Sequence, residues 1–165
     1  MKMHSFAAVA ALCFISAASA ATSTKDAFEK MKGLVGTWEQ TVDGHTFRSV
    51  YRLTGAGSAL METLGPNTPE EMVSMFHMDN DKLMLTHYCA AQNQPTLKLV
   101  PSDDPALLHF VFVSGTNMKP SDMHIHDVKI RFVDKNHIKE DWQGYMDGKP
   151  GSTMSFDFHR ASSKS

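Results

Sequence analysis

His124-Ile125-His126-Asp127-Val128-Lys129-Ile130-Arg131-Phe132-Val133-Asp134 is followed, after Lys135-Asn136, by His137-Ile138-Lys139-Glu140-Asp141-Trp142-Gln143-Gly144-Tyr145-Met146. Both runs set charge between apolar or aromatic residues at the two-residue period of a half-buried strand, and a short polar interruption joins them. Side chains alternate faces along a strand, so loop length fixes which residues meet. A two-residue loop would set Phe132 and Ile130 against Lys139 and Asp141, mixing core with solvent. A three-residue loop, Lys135 to His137 with Asn136 left-handed, pairs Phe132 with Glu140, Ile130 with Trp142 and His126 with Met146. A loop at Asp147 to Gly151 then pairs Trp142 with Phe156 and Glu140 with Phe158. The expected inner face is His124, His126, Val128, Ile130, Phe132, Glu140, Trp142, Met154, Phe156 and Phe158, with Lys129, Arg131, Lys139, Asp141 and Asp157 outside.

The same grammar extends along the chain. Breakers fall at Asp43-Gly44, Thr54 to Ser58, Gly65 to Pro69, Asp79 to Asp81, Asn93 to Pro95, Pro101 to Pro105, Ser114 to Asp122, Lys135-Asn136 and Asp147 to Gly151, cutting ten short runs rich in β-branched, aromatic and methionine residues. Asp43-Gly44 asks for a two-residue turn pairing Val42 with His45, with Trp38, Gln40, Val42, Phe47, Ser49 and Tyr51 on one face and Glu39, Arg48 and Arg52 on the other. A short helix precedes the strands, capped by Ser23 or Thr24, with Phe28 and Met31 on a face suited to plugging a barrel end. The expected fold is all-β: a closed antiparallel up-and-down barrel of about ten strands with a short N-terminal helix. The charged outer face argues against an outer-membrane barrel. Ten strands exceed the eight that side chains just fill, so a cavity for one small ligand is expected.

At the N-terminus, Lys2 precedes an apolar run from Phe6 to Ile15 and the small residues Ala18-Ser19-Ala20. This is the order of a secretory signal cleaved after Ala20, and it is shorter than a membrane span. The expected division is residues 1–20 signal peptide, 21–36 N-terminal segment and helix, 37–160 barrel, and 161–165 disordered tail, in a periplasmic or secreted protein. Loss of Lys2 takes the formal charge from −2 to −3. With no basic block, nucleic acid is not an expected partner, and no stable membrane insertion is expected. The oligomeric state is left open. Of the two cysteines, Cys13 leaves with the signal, so Cys89 has no internal partner and is expected to be buried and inert.

Gly36-Thr37-Trp38, after a short helix and opening the first strand, resembles the G-x-W start of lipocalin-like (calycin) barrels, in which the Trp closes one end. Met84-Leu85-Thr86-His87-Tyr88-Cys89, Asn93-Gln94-Pro95, Phe132-Val133-Asp134 and Glu140-Asp141-Trp142 are similar to a bacterial family of exported barrels of uncharacterised function. That family is distantly similar to nitrobindin and the fatty-acid-binding proteins, and the likeness spans roughly residues 27 to 160. It implies a fold and no chemistry. Nitrobindin holds haem through a late histidine; the nearest here, His159, falls on the outer face, so no haem is expected.

The constellation best placed for chemistry is His124, His126 and Glu140, joined by His87 and Cys89. Histidines two apart on a strand share a face, which suits two ligands of one metal, zinc above all, or a base beside an acid; the plainer reading puts them at the barrel mouth, bonded to loops. Glu140 between Phe132 and Phe158 would be desolvated and needs a partner or a raised pKa. The side taken by His87 and Cys89 is open, because the opposite face carries Val73, Met75, Met84 and Tyr88. Met72, Met75, His77 and Met78 have the composition of a copper site, but alternation sends Met75 away, and methionines lining an apolar pocket are expected instead.

The expected function is binding of a small apolar or amphipathic molecule, with His87, Cys89, His124, His126, Glu140, Trp142, Phe156 and Trp38 as ligand contacts and no cofactor. An isomerase or hydrolase is the alternative, although no serine elbow, triad order or paired carboxylate is visible. An interaction protein without ligand is the third, although the readable outer faces show no apolar patch.

Overall fold

The computed structural model describes residues 23–162, so the expected signal sequence and the last three residues lie outside it. Helix α1 (Thr24–Lys32) leads into β1 (Gly36–Val42), β2 (His45–Thr54), β3 (Ala59–Leu64), β4 (Met72–Asp79), β5 (Lys82–Tyr88), β6 (Gln94–Val100), β7 (Leu107–Thr116), β8 (His124–Asp134), β9 (His137–Met146) and β10 (Lys149–Arg160). Each strand pairs antiparallel with its sequence neighbours, and β1 pairs with β10, closing an up-and-down barrel. No helix among the described residues is long and apolar enough to cross a membrane.

Helix α1 is too short to hold itself together in water. Ser23 caps it, its hydroxyl accepting from the Asp26 N–H at 3.1 Å. The larger contribution is burial: Ala27, Phe28 and Met31 are at most 5% exposed, and a large apolar side chain gains about 1.5–3 kcal/mol on full burial. The Thr24 hydroxyl donates to Asp81 O at the β4–β5 turn, and Lys30 Nζ donates to Pro105 O between β6 and β7. One end of the barrel is thereby stoppered, as expected. Trp38 completes the stopper, its indole donating to Leu34 O at 2.7 Å beneath the Arg160 guanidinium 4.3 Å away. Arg160 in turn donates to Val35 O and Gly33 O.

The inner face follows the expected alternation through most of the chain, with two corrections of register. The β8–β9 loop is Lys135-Asn136, with Asp134 opposite His137 and a bulge between Phe132 and Asp134. Asn136 does not take positive φ; its N–H is held by the Asp134 carboxylate at 2.7 Å. The bulge keeps the faces that a three-residue loop would give but shifts pairing by two, so Ile130 faces Glu140, Val128 faces Trp142, and Phe132 faces Ile138. Likewise Asp147-Gly148, both at positive φ, make a two-residue turn. Gly151 lies inside β10 beside a bulge, and Trp142 faces Met154 while Glu140 faces Phe156.

A third irregularity moves residues between faces. A bulge between Ile125 and Asp127 puts Ile125 opposite Gly144, both buried, and His124 opposite Tyr145. Since Trp142 and Gly144 face inward, Tyr145 faces out and His124 goes with it. The extra residue of a bulge re-aims side chains in this way. His124 and His126 are therefore outside the lumen, contrary to the expectation from strict alternation.

Candidate functional site

Cross-strand register builds a polar row through the lumen. Tyr51 on β2 faces Glu62 on β3, Glu62 faces Ser74 on β4, and Ser74 faces His87 on β5. The row closes across the barrel on β9. Tyr51 Oη donates to Glu140 Oε1 at 2.5 Å, Trp142 Nε1 donates to Glu140 Oε2 at 3.0 Å, and the His87 ring lies 4.9 Å from the Trp142 ring. Ser49 donates to Glu62 Oε1 at 2.8 Å, and the Ser74 hydroxyl and His87 Nδ1 are 3.1 Å apart. All these side chains belong to residues at most 1% exposed. Two polar atoms in this belt, Glu62 Oε2 and His87 Nε2, are buried with no hydrogen-bond partner, a condition that costs about 1–3 kcal/mol for each.

Burial sets the protonation of the belt. It lowers the pKa of His87 from 6.5 to about 4, so the imidazole is neutral at pH 7. The pKa of Glu62 is raised well above the ordinary carboxylate value, first by burial and then by the Glu140 charge, against the easing effect of Ser49, Tyr51 and Ser74. Burial also raises Glu140, offset by Tyr51 and Trp142. The same burial and both carboxylates push the Tyr51 phenol well above its usual range. Two like charges in one desolvated site do not both ionise readily, and Glu140, with two donors, is the better-stabilised carboxylate. Burial and the Glu140 charge thus weigh most heavily against ionisation of Glu62.

Above the belt the inner face of β10 becomes progressively more exposed. Along β10, Phe158 is fully buried, Phe156 is half-buried and stacked on Phe47 at 5.2 Å, and Met154 is 39% exposed. β1 and β10 pair only through Trp38 with Arg160 and Glu39 with His159, and the Gln40 side chain bridges the seam to the Asp157 N–H. Toward the end opposite α1 the inner face thus carries the apolar side chains of Phe47, Met154 and Phe156.

Of the residues expected to contact a ligand, Glu140, His87 and Trp142 meet in the belt, and Phe156 stands above it. Trp38 belongs to the stopper instead. Cys89 follows the end of β5, its N–H donating to Asn93 O and its half-buried thiol pushed up by burial, which is an inert setting. His124 and His126 occupy an outer groove of about 590 Å³ with Phe112, Met118 and Tyr145. There His124 Nδ1 donates to Asp122 O, which leaves its Nε2 to accept from His126 Nδ1 at 3.2 Å, and His126 stacks on Tyr145 at 3.8 Å. Glu140 is buried with hydrogen-bonding partners, Tyr51 and Trp142, as its desolvated position requires.

Glu62 is a site residue that the sequence reading misses, and it supplies the paired carboxylate that the reading found lacking. The signal is present: in Leu60-Met61-Glu62-Thr63-Leu64 the glutamate occupies the same phase as two inward leucines. The chain matches no known family model and no curated protein.

Proposed function

We propose that this barrel binds a small apolar or amphipathic molecule, admitted at the end opposite α1, with its polar end held at the belt. The observation that carries this reading is the pair of unpartnered buried atoms, Glu62 Oε2 and His87 Nε2, lying below the apolar side chains of Phe47, Met154 and Phe156. A hydrogen-bonding head group reaching both would relieve two desolvation penalties at once. The lipocalin-like resemblance at Gly36-Thr37-Trp38 and the Trp38 stopper agree with such a role. Trp142, bonded to Glu140 and packed on His87, is a built-in reporter. In a Trp38→Phe background, medium-chain alcohols, amines and fatty acids titrated into the protein should include one class that changes Trp142 emission saturably at one to one. Glu62→Leu should weaken that class at least tenfold, about 1.4 kcal/mol. Emission unchanged by every class would contradict the proposal.

A small barrel isomerase or hydrolase is a second reading, favoured by one feature, the two buried carboxyls Glu62 and Glu140, of which Glu62 is held well above the ordinary carboxylate range. Proton transfer would require a substrate within hydrogen-bond reach of Glu62. Turnover abolished by Glu62→Gln with binding retained would mark it.

A further inference from the structure

On the outer wall, far in sequence from the belt residues of β2 to β5, His137 of β9 and His159 of β10 are direct cross-strand partners. Their rings stack at 4.3 Å with an interplanar angle of 19°. Asp157, two residues before His159, shares that face. Its Oδ1 lies 2.5 Å from His137 Nε2 and 3.7 Å from His159 Nε2. Its other oxygen is taken by Lys139 Nζ at 3.0 Å, and its backbone N–H is fixed by Gln40. One carboxylate oxygen is thus turned toward two imidazole nitrogens, and the three ligating atoms all lie within 4.8 Å of one another.

Donors around a tetrahedral ion with bonds of about 2.0–2.1 Å stand roughly 3.3 Å apart. The two separations from Asp157 Oδ1 bracket that spacing, so small side-chain rotations suffice to converge on one ion. We propose that His137, Asp157 and His159 form a surface site for a divalent transition-metal ion of the zinc class. Two imidazoles and a carboxylate suit zinc, cobalt, nickel or copper rather than the all-oxygen preference of calcium and magnesium. The side chains of His159 and Asp157 are 65% and 52% exposed and that of His137 is 20% exposed. Water therefore completes the coordination sphere, and the ion is exchangeable. Lys139 stays on the second oxygen and keeps Asp157 monodentate. The other histidine pair, His124 and His126, offers two residues already bonded to each other and to Asp122 O.

The test is calorimetric titration of the EDTA-treated full chain with zinc chloride, with native mass spectrometry for stoichiometry. One zinc with micromolar affinity is expected. His159→Ala and Asp157→Asn should each weaken it at least tenfold, and His126→Ala should leave it unchanged. Because His159 is exposed, its replacement should leave the melting temperature in place and the loss attributable to the site. No zinc uptake at sub-millimolar concentration, affinity unchanged in His159→Ala, or affinity lost in His126→Ala instead, would each overturn the proposal.

Discussion

Glu62 sits directly across from Tyr51 and Ser74 with one oxygen bonded to Ser49 and the other to nothing. A carboxyl whose pKa is raised in the folded state binds more protons folded than unfolded, so its contribution to stability falls as pH rises above about 4.3, the unfolded value. Glu62→Gln should therefore flatten the loss of stability on the alkaline side, as read by urea unfolding from pH 5 to 9; an unaltered slope would place the proton elsewhere. His87 works in the opposite direction. Its pKa falls from 6.5 to about 4 on folding, so the unfolded chain takes up the proton first and stability declines as pH drops from 6.5 toward 4. The full effect is of the order of 3 kcal/mol. His87→Gln should remove most of that acid limb, and an acid limb preserved in the variant would contradict the assignment. Glu140 is legible in the amino-acid sequence, because its phase between inward neighbours survives a register error of two residues. Glu62 obeys the same rule in a strand whose pairing no turn makes plain.

Elements are legible where turn chemistry is simple and misread where bulges intervene. Asp43-Gly44 takes positive φ at both residues and pairs Val42 with His45 as its sequence demands. The bulge at His126 leaves no mark in Ile125-His126-Asp127, since two histidines at alternate positions read as one face whether or not a residue is inserted. The resulting displacement of His124 and His126 to the outer groove follows from backbone irregularity rather than composition. For α1, packing outweighs capping. Met31→Ala, at a fully buried position, should cost about 2–5 kcal/mol, and Ser23→Ala about 1 kcal/mol, both measured by chemical unfolding. A capping variant costing as much as the core variant would mean that α1 does not seal the barrel through its buried face.

At the scale of the whole molecule, one end is stoppered by α1, Trp38 and Arg160, while inner-face exposure grows toward the other end from Phe158 to Met154. The polar belt lies between the two, and under the proposed binding role a molecule admitted at the end opposite α1 would meet Phe47 and Phe156 before Glu62 and His87. Barrel closure and the plugging helix are readable from strand count and turn spacing. The belt is not, because four of its members are brought into line by pairing among β2, β3, β4 and β5 rather than by spacing in the chain. The most direct measurement is native mass spectrometry of the protein purified from the cells that make it, beside the Glu62→Leu variant prepared identically. The account predicts a small organic molecule bound one to one in the wild type and lost or greatly depleted in the variant. An empty wild-type barrel that also takes up no alcohol, amine or fatty acid, or the same adduct at the same occupancy in Glu62→Leu, would contradict it.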